Sequence, residues 1–71
     1  MNWKSLASEI TATWTSGYTA DLLLNEDGEE CGVVVFCDGE DVGRIEEKLG
    51  RFTVTSEDED VEESLEHFLN R

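Results

Sequence analysis

The side chains of this sequence that could do chemistry are mainly carboxylates. Eighteen Asp and Glu residues stand against five Lys and Arg residues, which gives a net charge of −13. Most of the acids lie in three clusters after Ala20: Glu26, Asp27, Glu29 and Glu30; Asp38, Glu40 and Asp41; and residues 57–66. Closely spaced carboxylates attract basic proteins and repel nucleic acids and anionic membranes. The charge therefore predicts a basic protein as the partner.

The C-terminal cluster has the most regular spacing. Glu59, Glu62, Glu63 and Glu66 follow the i, i+3, i+4, i+7 pattern, which places them in one row on a helix, opposite its apolar stripe. A row of carboxylates can compete for the Lys and Arg side chains with which other proteins hold nucleic-acid phosphates. A charged helix face is also often only a solvated face, so both interpretations stay open. We predict that a partner contacts this row together with the acidic clusters at 26–30 and 38–41.

The acidic turns do not predict a dedicated calcium site. An EF-hand loop needs a glutamate six residues after its glycine, and apolar residues occupy those positions here. The residues six positions after Gly28, Gly39 and Gly43 are Val34, Ile45 and Leu49. The two cysteines and the single histidine also lack the spacing of a zinc site. We therefore expect neither a metal ion nor a cofactor.

The nucleophiles and bases of the chain are few. Cys31 and Cys37 lie six residues apart on one predicted strand, so about 20 Å separates them, which is too far for a disulfide within the chain. We expect both to be free thiols with a structural place in the core. His67 lies roughly 120° from the centre of the apolar stripe of its predicted helix and should face water. No positioned partner for it is indicated, so the sequence predicts a protein that is not an enzyme.

These residues must be positioned by a helix followed by a hairpin. Trp3, Leu6, Ala7, Ile10 and Trp14 form one apolar stripe, which predicts a first helix over about residues 3–14 with Asn2 as its N-cap. Residues 18–24 and 31–37 are rich in strand-forming side chains and flank the turn signal Asp27-Gly28. The predicted cross-strand pairs are Leu24 with Cys31, Leu22 with Val33, Ala20 with Val35 and Tyr18 with Cys37.

The second half of the chain contains three further predicted elements. Residues 41–49 place Val42, Ile45 and Leu49 at helical spacing and predict a short second helix, although an extended conformation stays open. Residues 51–55 alternate as a half-buried third strand. Residues 56–59 match a capping box that begins a last helix, whose apolar stripe runs from Val61 to Leu69.

The predicted order is αββαβα, in a single α+β domain spanning residues 1–71. Helices pack on a small, mostly antiparallel, three-stranded sheet, because two layers are what a chain of this length can build. Such a short chain buries only about 60% of its unfolded surface and has little room for a deep pocket. No apolar run reaches the roughly 20 residues of a membrane span, and the first 20 residues lack a signal-peptide pattern. We expect a cytoplasmic protein.

In size, charge and α/β character, the chain resembles the small, acidic, phage-encoded inhibitors of nucleic-acid-binding proteins, among them anti-CRISPR and anti-restriction proteins. The resemblance covers the whole chain and includes no signature motif. It implies a non-enzymatic inhibitor that mimics DNA. Such a protein would occupy the basic channel of a partner, such as a CRISPR effector complex, in the host cytoplasm.

Two other function classes stay open. A small haloarchaeal protein would carry a similar charge, but here Glu outnumbers Asp by twelve to six, where we would expect abundant Asp. Such a protein should also need salt to fold, whereas an ordinary acidic protein folds in dilute buffer. A protein–protein adaptor could instead use Leu23, Val34 and Phe36 on the second face of the hairpin, as a monomer or a weak homodimer.

Overall fold

The computed structural model describes residues 2–14 and 17–70 as two helices and one sheet. The elements are helix α1 (Trp3–Thr13), strands β1 (Tyr18–Leu24), β2 (Glu30–Cys37), β3 (Glu40–Lys48) and β4 (Arg51–Thr55), and helix α2 (Glu59–Leu69). The strands form one antiparallel sheet in the order β1-β2-β3-β4. The α+β class is confirmed, whereas the predicted three strands and the αββαβα order are wrong.

Both helices cover the same face of the sheet. Side chains alternate between the two faces along each strand, and the buried ones of β2 and β3 point toward the helices. The core consists of Trp3, Leu6, Ala7, Ile10, Val33, Val35, Ile45, Val61 and Leu65. Leu23, Val34 and Phe36 are absent from this core and from the apolar side chains packed against it. The opposite sheet face is therefore not covered by any described element.

The helix predicted over residues 41–49 is strand β3 instead. The preceding turn, Asp38-Gly39, has positive φ at both residues, 52° and 87°. Two central residues with positive φ form the tight turn that joins antiparallel strands, and Asp-Gly is one of its preferred sequences. Gly43 then passes close to α2, because a Cβ at this position would lie 3.2 Å from Leu65 Cδ1. The helical spacing of Val42, Ile45 and Leu49 was thus overridden by turn chemistry and by packing against α2.

The turn between β3 and β4 contains an unusual leucine. Leu49 and Gly50 have φ values of 52° and 75°, so this turn also has two positive φ angles. Asn, Asp or Gly normally occupies the first of these positions, because a Cβ in the left-handed region clashes with the backbone. Leu49 is also fully exposed to solvent. It therefore combines backbone strain with an unburied apolar side chain.

Replacing Leu49 with Asn should stabilise the protein. The change creates the Asn-Gly pair that this turn prefers, so we expect a gain of about 1 kcal/mol in the free energy of unfolding. For a domain of this size, the melting temperature should rise by about 4–8 °C. Leu24→Asn is the matched control, because Leu24 is 56% exposed but is not among the residues with positive φ. Equal effects of the two changes in thermal unfolding would contradict strain at Leu49.

The first hairpin follows three of its four predicted pairs. Leu22 pairs with Val33, Ala20 with Val35 and Tyr18 with Cys37. The fourth prediction is wrong, because the register shifts after Leu23 and Leu24 pairs with Glu30 instead of Cys31. The turn is a loop over residues 25–29, in which the Asn25 side-chain oxygen accepts from the N–H groups of Asp27 (2.9 Å) and Glu29 (3.0 Å).

The helix ends differ slightly from the predictions. Asn2 caps α1 as predicted, since its side chain accepts from the Ser5 N–H at 3.1 Å. The capping box predicted over residues 56–59 is wrong, because Asp58 is the N-cap of α2 and accepts from the Asp60 N–H at 2.9 Å. Ser56 instead donates to the Val42 carbonyl oxygen at 2.6 Å and so ties the start of α2 to β3. Each helix has 11 residues, and no helix in the described part of the chain is long and apolar enough to cross a membrane.

Candidate functional site

The topology determines which of the predicted acidic clusters meet. Consecutive turns of an antiparallel meander lie at opposite ends of the sheet. The acidic loop at residues 25–29 therefore lies at one end, and the Asp38-Gly39 turn lies at the other. Strand β4 runs toward this second end, so α2 begins there too. Two of the three acidic clusters come together, while the cluster of Glu26, Asp27, Glu29 and Glu30 lies about 20 Å away along the strands.

A groove separates the β3 side of this end from the start of α2. We call its carboxylates the acidic end: Glu40 and Asp41 of β3, and Glu57, Asp58 and Glu59 at the start of α2. The groove has a volume of about 780 Å³, and among the described residues Arg44 is the one basic residue that lines it. Its walls can accept ammonium or guanidinium groups, which form charge-assisted hydrogen bonds with carboxylates. The sequence alone identifies these carboxylates. Their position around one groove depends on a sheet of four strands instead of three.

Few of the clustered carboxylates are neutralised within the chain. Three ion pairs join described residues, and all of them use Arg44 or Lys48. Among the eleven acids predicted to bind a partner, only Asp41 takes part, at 2.9 Å from Arg44. Ten of these eleven side chains are exposed, and Glu62 is half-buried. The carboxylates are therefore available to an external cation.

Helix α2 presents its acidic row to solvent, much as the spacing predicts. Val61 and Leu65 are buried against the sheet, while Glu59, Glu63 and Glu66 are exposed. Glu62 is half-buried because it lies at the border of the apolar stripe. The acids of the first turn also stabilise the positive end of the helix dipole. Glu63 and Glu66 lie beyond that turn, so the dipole does not account for them.

The cysteines are free, as predicted, but they are half-buried and lie outside the core. Their expected place in the core is therefore wrong, because they lie toward the two ends of β2, where the helices do not cover them fully. Cys37 pairs with Tyr18 across the strands. The electrostatic effect of Cys37 and its side-chain hydrogen bond with Tyr18 raise the pKa of Tyr18 above its ordinary 10.0. Burial adds to this shift, and the charges of Asp58 and Asp38 add smaller contributions in the same direction.

The remaining chemistry of the described residues is sparse. His67 is exposed in the last turn of α2, as predicted. Within residues 2–14 and 17–70, no three His, Cys, Asp or Glu side chains come together in a way that could hold a metal ion. Sequence reasoning missed the groove, although the second Asp-Gly pair, at residues 38–39, was the signal for the turn that builds it. No protein-family model, curated protein or solved structure matches this chain.

Proposed function

We propose that this protein is a non-enzymatic inhibitor that binds a basic nucleic-acid-binding protein and blocks its nucleic-acid site. The binding surface consists of the acidic end and the row on α2, in which Glu59, Glu63 and Glu66 are exposed and Glu62 is half-buried. One observation carries the proposal: two acidic clusters adjoin at one end of the sheet, and Asp41 alone among the predicted binding acids has an ion-pair partner in the described structure.

Physical chemistry supports this use of the surface. Adjacent carboxylates on a helix face repel one another by a few tenths of a kcal/mol per pair, so the arrangement opposes folding slightly. A basic partner removes that repulsion and gains ion pairs of about 0.2–1 kcal/mol each at an exposed rim. Four such pairs contribute about 1–4 kcal/mol if they are roughly additive. A nucleic acid cannot bind the same basic side chains at the same time.

The groove favours binding over catalysis. Ser56 lines the groove with a hydroxyl group. This hydroxyl donates to the Val42 carbonyl oxygen and accepts from the Asp58 N–H. These two hydrogen bonds hold Ser56 in a structural role. Within residues 2–14 and 17–70, no histidine or cysteine lines the groove. A nucleophile and a base within hydrogen-bond reach of each other would be needed for covalent catalysis.

Removing the charges of the helix row should weaken partner binding. The variant Glu59→Gln, Glu62→Gln, Glu63→Gln and Glu66→Gln keeps helix propensity and shape, so the fold should survive. We expect a loss of about 1–4 kcal/mol in binding free energy, mainly as slower association, and a shallower dependence on salt. The measurement is inhibition of target-DNA binding by purified CRISPR effector complexes and restriction endonucleases, titrated at several salt concentrations.

A matched control removes the same four charges at the other end of the sheet. Glu26→Gln, Asp27→Asn, Glu29→Gln and Glu30→Gln change the net charge equally but leave the acidic end and the α2 row intact. This variant should inhibit nearly as well as the parent protein. Equal inhibition and equal salt slopes for all three proteins would refute binding through the α2 row. Folding of the parent in dilute buffer, followed by circular dichroism, separates this proposal from a halophilic protein that needs salt.

A further inference from the structure

The sheet face that turns away from both helices carries no net charge, and neither does helix α1 with Lys4 and Glu9, although the chain as a whole is strongly acidic. Strand register places three acids, Asp21, Asp41 and Glu46, and three bases, Arg44, Lys48 and Arg51, on this open face. The whole net charge of −13 therefore comes from residues outside it. Two copies of the chain repel each other less when they approach through their open faces than when they approach through their acidic surfaces.

The centre of the open face is apolar and partly solvent-accessible. Leu23, Val34 and Phe36 lie there, each half-buried by its strand neighbours alone. Apolar patches that are rimmed by polar residues mark protein–protein interaction sites when they are large enough. An antiparallel sheet can have one face in water, but its residues then tend to be polar. Three apolar side chains around the middle of the second strand point to a covering surface.

The charges on the open face are arranged to complement a second copy. Asp21, Val34 and Arg44 stand side by side on β1, β2 and β3, so opposite charges flank an apolar centre. Two sheets can stack through their open faces, related by a twofold axis that runs parallel to β2 and midway between the sheets. This axis places Val34 against Val34 of the second copy. The same operation places Asp21 of each copy opposite Arg44 of the other. The strands of two stacked sheets cross at about 30°. This angle shifts residues on the strands next to β2 by only about 2 Å from their positions in perfectly aligned sheets.

The neighbouring residues are compatible with this arrangement. Arg44 is held on the open face by Asp41, at 2.9 Å, and by Glu46, at 3.8 Å. Leu23 faces Glu46 of the second copy, whose carboxylate is already close to Lys48 at 3.7 Å within its own chain. Glu46 thus has two basic neighbours and meets an apolar side chain with its charge compensated.

We propose that the open face is the interface of a symmetric homodimer, in which two sheets stack with the helices on the outside. The α2 row and all of the acidic end except Asp41, which lies on the open face, are outside the interface of this dimer, so the inference does not depend on the proposed inhibition. Four strands of this length offer roughly 450 Å² per copy, below the size of a standard stable interface. The dimer is therefore a weak one, in the size range of transient interfaces.

Charge exchange across the twofold axis tests the proposal. Asp21→Arg puts like charges opposite each other in both cross-pairs, and so does Arg44→Asp. Each variant alone should dimerise at least about tenfold more weakly than the parent in sedimentation equilibrium. An equimolar mixture of the two should regain the dimer, because both cross-pairs are then opposite in sign. Circular dichroism checks that each variant is folded.

A second pair of variants keeps the test independent of Arg44. Val34→Lys and Val34→Glu place like charges on the axis when each is alone and opposite charges when they are mixed. The mixture should again dimerise more strongly than either variant. A parent that is monomeric at about 1 mM would overturn the proposal, and so would mixtures that associate no better than their components. Single variants that dimerise like the parent would assign the interface to another surface.

Discussion

Gly32→Ala is expected to abolish the native fold. Gly32 lies at the first paired position of β2 and β3, opposite Glu46, and an added Cβ would overlap the Ile45 carbonyl oxygen. That oxygen belongs to the backbone of the adjacent strand, so no side-chain rotation relieves the clash. The two central strands would have to separate at the level of Val33 and Ile45, which are both fully buried. A domain of this length has only about 4–11 kcal/mol of stability with which to absorb such a change.

The measurement is far-UV circular dichroism with urea unfolding, beside a matched glycine variant. Gly39→Asn also removes a glycine, but a Cβ there meets nothing within 4 Å, and Asn tolerates its positive φ of 87°. This control should lose less than about 1 kcal/mol. A cooperative transition for Gly32→Ala with the midpoint of the parent would mean that β2 and β3 do not approach as closely as described.

The elements with strong periodicity could be predicted from the sequence. The stripe of α1 repeats over three turns, and Trp3, Leu6, Ala7 and Ile10 are all buried as their spacing requires. Three pairs of the first hairpin were also predictable, because the turn signal and the strand alternation together favour the register that puts Leu22, Val33 and Val35 on one buried face. The fourth pair was not, since Asn25 lengthens the loop through hydrogen bonds of its side chain. That geometry is specific to the folded turn.

Strand β3 shows where sequence periodicity fails. The spacing of Val42, Ile45 and Leu49 fits a helix. The glycine at position 43 lowers the helix propensity of this segment only modestly. The decisive features lie at the two turns, where Leu49 adopts a positive φ that leucine rarely takes. A leucine followed by glycine does not indicate such a turn in a sequence, whereas the pair Asp38-Gly39 does. The strand was therefore predictable from its beginning but not from its end.

The candidate site depends on this same strand. Composition and spacing were enough to identify the carboxylates, since charged side chains on turns and on helix faces are exposed in almost any fold. Predicting which of them lie together required the number of strands, because each additional strand reverses the direction of the chain. Because residues 40–48 form strand β3, β4 ends and α2 begins at the end of the sheet that holds the Asp38-Gly39 turn. The groove between Glu40 and Glu59 follows from that reversal.

Leu65→Ala should detach the acidic helix from the sheet. Val61 and Leu65 are the two buried residues of α2, and Leu65 is fully buried beside Gly43. Truncating a buried leucine costs about 2–5 kcal/mol, because the lost contacts leave a cavity. Phe68, whose ring lies 5.9 Å from that of Trp14, and Leu69 also hold the helix, but both are only half-buried.

This change links the core to the proposed binding surface. Because Leu65 lies on the same helix as Glu62, Glu63 and Glu66, its loss should lower the free energy of unfolding and weaken inhibition together, without removing any charge. Leu69→Ala is the matched control on the same helix, and it should cost about 1 kcal/mol because Leu69 is only half-buried. Urea unfolding and the DNA-binding competition assay measure both effects. Inhibition that persists in a destabilised Leu65→Ala protein would mean that the carboxylates act as a diffuse charge, for which the position of α2 on the sheet is irrelevant.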